Sequence, residues 1–189
     1  MKSLSNTEWS YFPALISHNQ TGYWKNIILE NLEWTQPVVK VYSKRYSVPR
    51  LTAFLGSKGI SYKYSGAIHY AEDWPKWFFP LLDYIRDFSR TNYNGCLINL
   101  YRDGNDCMGW HSDNEKELDP KKSIASLSLG ATRDFFFRSL IDSSSNNIEL
   151  RDGDLLLMHP ECQFNWKHCL PKRKKVSEVR INLTFRCYR

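Results

Sequence analysis

Two metal-ligand side chains stand two residues apart in His111-Ser112-Asp113, and a further histidine, His168, lies far downstream. In an extended segment side chains alternate with period two, so His111 and Asp113 share one face. Two histidines and one carboxylate form the facial triad of non-heme Fe(II) oxygenases. Three protein ligands leave three coordination positions, two for a chelating co-substrate and one for dioxygen. An HxD spacing is common, however, and polar loop residues are its ordinary explanation. A second metal reading takes His159, Cys162, His168 and Cys169 as a zinc site, although adjacent His168 and Cys169 suit tetrahedral coordination poorly.

Residues 179–186 read VRINLTFR. Val179, Ile181, Leu183 and Phe185 make an apolar face, and Arg180, Asn182, Thr184 and Arg186 a polar one. A half-exposed strand with solvated arginines has this same alternation. Yet two guanidiniums with an amide and a hydroxyl between them also form a row of donors suited to a dicarboxylate. Guanidinium takes carboxylate in bidentate fashion, so such a row fits both ends of 2-oxoglutarate. Asn99 and Tyr101 share one face of the strand predicted over 96–101 and can donate to the same ligand.

These residues need a scaffold to bring them together. Helical spacing of Trp24, Ile27, Ile28 and Leu32 predicts an amphipathic helix over about 21–34. A second is predicted over about 75–88, with Pro75 in its first turn and Phe78, Leu81, Leu82, Ile85 and Phe88 as its buried stripe. Between them lie extended, aromatic-rich stretches at 38–46 and 51–64, broken at Pro49 and at Gly56 and Gly59. Strands are predicted at 96–101, 123–129, 134–138, 148–150, 154–158 and 179–187, separated by turn signals that include Asp103-Gly104, Gly130, the Ser/Asn run 143–147 and Asp152-Gly153. Many short strands at this spacing predict a mainly β (α+β) fold, an antiparallel sandwich or jelly roll, with the N-terminal helices buttressing one face.

A length of 189 residues at 42% hydrophobic content suits one domain with a real core. The first seven residues are polar, with no apolar run of leader type after them, and no stretch approaches the ~20 apolar residues of a membrane span. The expectation is a soluble intracellular protein with no membrane partner, cytoplasmic in a bacterium or nuclear in a eukaryote. Five scattered cysteines without a CxxC pair are expected to be reduced thiols. A net charge of +6 fits a polyanionic partner, and 15% aromatic content adds stacking surfaces.

Taken together, Asn99-x-Tyr101, His111-x-Asp113, His168 and Arg180-x-Asn182-x-Thr184-x-Arg186 resemble the AlkB family of oxidative dealkylases in order, type and spacing. The similarity runs over roughly 41–186. Through the stretches SVPR (47–50), PRLTAF (49–54), NLYRDG (99–104), SIASLSLGATRDFFF (123–137) and RINLTFR (180–186) it touches the animal homologues two and three in particular. The resemblance implies a single domain over 1–189. It would be a double-stranded β-helix, about 95–187, carrying a nucleotide-recognition lid at about 36–70. It also implies roles. His111, Asp113 and His168 would bind Fe(II). Arg180, helped by Tyr101, would pair with the distal carboxylate of 2-oxoglutarate. Arg186 and Asn99 would hold the proximal end, with Asn182 and Thr184 close by. Dioxygen and 2-oxoglutarate would be consumed to hydroxylate an N-linked methyl group, releasing formaldehyde, succinate and CO2.

The same resemblance implies alkylated DNA as partner, with 1-methyladenine and 3-methylcytosine as lesions and a monomeric enzyme. A base inside a duplex cannot reach the metal, so it must be flipped out. Tyr64 would stack on the lesion opposite His111, Tyr62 and Arg50 would line the pocket, and Glu115, next to Asn114, would read the exocyclic amine. Val41, Tyr42 and Ser43 match a finger inserted into the stack, with Tyr42 filling the gap. Arg173, Lys174 and Lys175 match a basic patch on the opposite strand's phosphates. Without the resemblance, the tyrosines read as core, Glu115 as a loop acid and the basic run as a solvated loop. One stretch departs from the pattern: 139–147, expected as a loop, is short and carries no Lys or Arg where the duplex-specific relative is long and basic. Single-stranded DNA and RNA therefore stand as alternatives to a duplex.

Overall fold

The computed structural model describes residues 4–5, 7–41, 44–64 and 67–189. Strands β1 (Leu4–Ser5) and β2 (Trp9–Phe12) precede helix α1 (His18–Asn31). Then come β3 (Val38–Val41), β4 (Lys44–Ser47), β5 (Leu51–Gly56), β6 (Ser61–Tyr64), β7 (Ala67–Tyr70) and β8 (Glu72–Asp73). A 3-10 turn (Lys76–Phe78) leads into α2 (Phe79–Ser89), followed by β9 (Gly95–Tyr101) and β10 (Met108–His111). Next are β11 (Ile124–Gly130), β12 (Arg133–Ser139), β13 (Ser145–Leu150) and β14 (Leu155–Met158). Helix α3 (Pro160–Asn165), β15 (Trp166–Leu170) and β16 (Arg180–Arg186) complete the chain.

Eight strands form one sheet in the order β1-β2-β14-β11-β16-β9-β5-β8, and four form a second, β10-β15-β12-β13. The side-chain alternation explains why the large sheet is covered on both faces. Cys96, Ile98 and Leu100 of β9, Ala125, Leu127 and Leu129 of β11, and Ile181, Leu183 and Phe185 of β16 form one buried cluster. Trp24 and Ile28 of α1 and Leu81, Leu82 and Ile85 of α2 belong to the same cluster, so both helices buttress this face. Burying Ile181, Leu183 and Phe185 contributes about 1.5–3 kcal/mol each, which holds β16 in register against its polar face. That face, with those of β9 and β11, looks toward the small sheet. Two stacked sheets, antiparallel except for the short β5–β8 pair, make the jelly roll expected from the strand spacing.

One alternative falls and two expectations change. First, the alternative of a half-exposed β16 with solvated arginines fails: all seven of its residues are buried, because the second sheet lies over it. Second, the helix starts move. In α1 the first turn begins at His18, where Ser17 and Gln20 form a capping box, and the chain leaves the helix after Asn31 with Leu32 extended. Third, the loop expected over 139–147 is shorter, because β12 runs to Ser139 and β13 begins at Ser145. Arg138 pairs with Ser145, Phe137 with Asn146 and Phe136 with Asn147, leaving 140–144 as the connection. Residues 145–147 give no hydrophobic signal, and this end of the edge strand β13 is held by backbone pairing, while Ile148 and Leu150 anchor the other end in the core.

Within 36–70, the β3–β4 and β6–β7 hairpins flank β5, and β5 is itself a core strand beside β9. Strand β2 also enters the large sheet, next to β14, although it falls outside the strands predicted from sequence. Among the described residues no helix is long and apolar enough to cross a membrane.

Candidate active site

Strand β10 explains how the histidines meet. Met108 pairs with Leu170 and His111 with His168, so β10 carries one extra residue between the two pairs. A bulge of this kind re-aims side chains. It turns both Met108 and His111 into the cavity between the sheets, which neither could share under strict alternation. The His111 and His168 rings meet edge to face at 4.3 Å between centroids, and Phe135 stacks on His168 at 5.2 Å. Asp113 follows just beyond the strand. The candidate ligand atoms of His111, Asp113 and His168 all lie within 4.8 Å of one another.

His111 Nδ1 lies 2.9 Å from the Gly109 carbonyl, which can only accept, so Nδ1 donates there and Nε2 is the atom turned to a metal. That Nε2 is 3.6 Å from Asp113 Oδ1. The backbone N–H of Asp113 donates to Gln163 Oε1 of α3 at 2.8 Å, which fixes the turn. Burial alone would raise the Asp113 carboxyl, but Arg186, at 2.7 Å, and the two histidines hold it below the usual carboxylate range. Burial, with His111 beside it, pushes His168 down to about 3, and its Nδ1 is buried without a partner. A charged carboxylate, the neutral His168 ring and the Nε2 of His111 offer the donor types a divalent ion takes. The zinc alternative fails on geometry. His168 points inward and Cys169 therefore outward, while His159 sits between Ser10 (3.0 Å) and Ser123 (3.3 Å).

The donor row of β16 forms the opposite wall. Arg180 pairs with Tyr101 and Asn182 with Asn99 across β16 and β9, while Asn182 faces Ser128 and Thr184 faces Ser126 on β11. Arg180 Nη2 donates to Ser128 Oγ at 2.9 Å, Asn182 Nδ2 to Ser126 Oγ at 2.8 Å, and Thr184 Oγ1 to Asn182 Oδ1 at 3.0 Å. The Nε atoms of Arg180 and Arg186 are buried without partners. The space left between these walls is narrow, about 40 Å³. Asn99, Tyr101, Arg180, Asn182, Thr184, Arg186 and the three metal-ligand candidates all line it.

A second cleft opens on the other side of His111, lined by Arg50, Tyr62, Trp110, Asn114 and Glu115. Arg50 is buried and donates from Nε to Asn99 Oδ1 at 2.7 Å, so it ties this cleft to the wall formed by β9 and β16. Tyr62 stacks on His69 at 5.3 Å. Burial raises the Glu115 carboxyl, with Asp113 adding to the effect against Arg186, and its Oε2 is buried without a partner. Tyr42 and Ser43 lie outside the described residues, as do the side chains of Val41 and Tyr64. Strands β3 and β4 pair Val41 with Lys44 on either side of that pair. Lys174 and Lys175 are exposed, whereas Arg173 is half-buried, bonded to Asp134 and stacked over Phe136.

The sequence reading missed Gln163, which holds Asp113 from a helix it did not anticipate, and Ser126 and Ser128, whose alternation with Ala125 and Leu127 was the available signal. It also missed Trp110, which is 39% exposed in the cleft with the Arg138 guanidinium 4.4 Å above its ring. The bulge hides Trp110 from any period-two reading.

Residues 8–186 match the 2OG-Fe(II) oxygenase superfamily. The mouse DNA oxidative demethylase ALKBH2 is 40% identical over 161 residues, covering 78% of this chain and 65% of that protein. The human DNA oxidative demethylase ALKBH2 is 42% identical over 160 residues, covering 78% and 60%. The human alpha-ketoglutarate-dependent dioxygenase alkB homolog 3 is 33% identical over 188 residues, covering 93% and 64%. This chain thus spans less than two thirds of each of these three relatives. The solved structure of OsALKBH1 superposes with a TM-score of 0.69 at 15% identity, covering 99% of this chain and all of that one, which supports the fold alone.

Proposed function

The chain belongs to the 2OG-Fe(II) oxygenase superfamily, and from that premise we propose that it oxidatively demethylates N-alkylated bases in DNA, 1-methyladenine and 3-methylcytosine among them. The observation that carries this reading is the His111, Asp113 and His168 cluster standing between two cavities. One is walled by cationic and amide donors, the other by an aromatic ring and an acid. The donor set fits Fe(II), which when bound would activate dioxygen against 2-oxoglutarate. Succinate and CO2 leave from the co-substrate, and the hydroxylated methyl carbon departs as formaldehyde.

The chain's own residues bind and orient. Arg180 and Tyr101 take the distal carboxylate of 2-oxoglutarate. Arg186 and Asn99 face its proximal end, with Asn182 and Thr184 completing the donor row. Arg186 also keeps Asp113 charged and so available to the metal. On the substrate side, Tyr62 and Tyr64 bound the base, and Glu115 with Asn114 addresses its exocyclic amine. These lesions are cationic, which an acidic contact favours. Arg173, Lys174 and Lys175 contact phosphate, and Tyr42, between Val41 and Ser43, fills the stack of a duplex from which the base is flipped. In this reading the protein acts as a monomer, with the two hairpins within 36–70 as its lid. One observation favours a second substrate class: the 140–144 connection carries no Lys or Arg, so it offers no second phosphate clamp. Single-stranded DNA or RNA would then be the target.

The test is mass-spectrometric repair of 1-methyladenine and 3-methylcytosine in duplex DNA, single-stranded DNA and RNA, with succinate and formaldehyde measured. Release of both by wild type and by neither His111→Ala nor a chelated sample supports the reaction. Wild type and variant behaving alike would refute it, and chelator-insensitive binding would then mark a nucleic-acid-binding module. Equal or faster repair of RNA, with no loss in Tyr42→Ala, refutes the duplex assignment.

A further inference from the structure

Arg133 is 1% exposed, one of the most deeply buried side chains among the described residues. It opens β12 on the same face as Phe135 and Phe137, both directed between the sheets, where an apolar residue would be the default. Its guanidinium reaches only neutral oxygens. Nη2 donates to the carbonyls of Asp106 (2.9 Å) and Pro171 (2.6 Å), Nη1 donates to that of Asp103 (3.2 Å), and Nε has no partner. The nearby carboxylates are taken. Asp106 accepts the backbone N–H, Nε and Nη2 of Arg102, and Asp134 is paired with Arg173. Arg133 is therefore a buried cation with no anion in contact, so burial works against its charge and a counter-charge would favour it.

Toward the cavity it faces Tyr101. The Arg133 Cζ lies 5.8 Å from the Tyr101 ring centroid, and the Arg180 Cζ lies 5.4 Å from the same centroid. Two buried guanidiniums thus flank one phenol at one end of the cavity. Burial pulls Arg180 down to about 10, and Arg133 adds to that pull.

We propose that Arg133 is a positioning residue that makes the cavity select an oxo acid with a second carboxylate, by placing a second buried positive charge behind Tyr101 and Arg180. This rests on the proposed reading of the cavity as a 2-oxoglutarate site. Arg133 touches no ligand in this scheme and acts through the two residues that do. A clamp for the carbonyls of Asp103, Asp106 and Pro171 is the purely structural alternative, and it predicts no selectivity.

Anaerobic calorimetric titration of the Mn(II)-loaded protein with 2-oxoglutarate and with 2-oxopentanoate separates the two. The second ligand has a methyl where the first has its distal carboxylate. Wild type should prefer 2-oxoglutarate. In Arg133→Gln, which keeps N–H donors but not the charge, 2-oxoglutarate affinity should fall about tenfold while 2-oxopentanoate affinity changes little. Equal losses for both ligands, or an unchanged preference, would overturn the proposal. Should the glutamine variant unfold, Arg133→Lys decides: preference retained despite lowered stability supports a charge effect, and preference lost refutes it. A wild type that does not distinguish the two ligands overturns the reading of the cavity itself, before any variant is made.

Discussion

Replacing Arg186 by methionine would leave Asp113 buried without its ion-pair partner. Both side chains are almost fully buried, and Arg186 Nη2 lies 2.7 Å from Asp113 Oδ1. The dependence is mutual: burial works against each charge, and each holds the other ionised, Arg186 well above its ordinary value and Asp113 below its own. Removing one member of such a pair typically costs about 3–5 kcal/mol, because the surviving charge stays desolvated. In a domain of this size that corresponds to a fall of roughly 10 °C in Tm. The carboxylate has one other recourse, however, a divalent ion shared with His111 and His168. The loss should therefore be largest in EDTA and smaller by about 1–2 kcal/mol in saturating Mn(II), beyond the ligand stabilisation wild type itself gains. Urea unfolding followed by tryptophan fluorescence, for both proteins in both conditions, measures all four values. A loss below about 1 kcal/mol in EDTA would refute the pair's role, since buried pairs cost more than that to break. A loss independent of metal would refute the assignment of Asp113 as a ligand.

Two further outcomes follow from named contacts. The folded-state pKa of His168 is pushed down to about 3 from an ordinary value near 6.5, so the unfolded chain takes up this proton first as pH falls. Stability of the metal-free protein should drop by about 2 kcal/mol between pH 7 and pH 5, and His168→Gln should flatten that slope. Asp113 does not mask the effect, because its lowered carboxyl adds stability that is lost only below the ordinary carboxylate range. Urea midpoints that are level across pH 5–7 in EDTA would count against the buried neutral ring. Separately, a Cβ on Gly104 would lie 1.7 Å from the Arg173 carbonyl oxygen and 2.9 Å from that of Val176. Gly104→Ala must then break the Gly104 N to Val176 O and Arg173 N to Gly104 O bonds, each 2.7 Å, and push the basic segment outward. A loss of about 1–3 kcal/mol and several-fold faster tryptic cleavage at 172–175 are expected, and wild-type values for both would contradict the packing described.

How much of this was legible in the sequence depended on whether local periodicity survived folding. In β16 it did: Ile181, Leu183 and Phe185 feed one core and Arg180, Asn182, Thr184 and Arg186 the cavity, so both faces announced themselves even though their burial did not. The same holds for β9, where Asn99 and Tyr101 alternate with Ile98 and Leu100. In β10 the bulge breaks the period, so His111 stands out as a candidate ligand by its type and its spacing from Asp113, while its strand and its neighbour Trp110 do not. Arg133 was illegible for a different reason. An Arg-Asp pair at the start of a strand reads as solvated, and only the small sheet closing over the large one puts Arg133 inside and leaves Asp134 to Arg173. Residues that chelate or hydrogen-bond a ligand carry their chemistry in their type. Residues that act through the field they create, as Arg133 is proposed to do, carry it in their position, and that information appears only once the sheets are stacked.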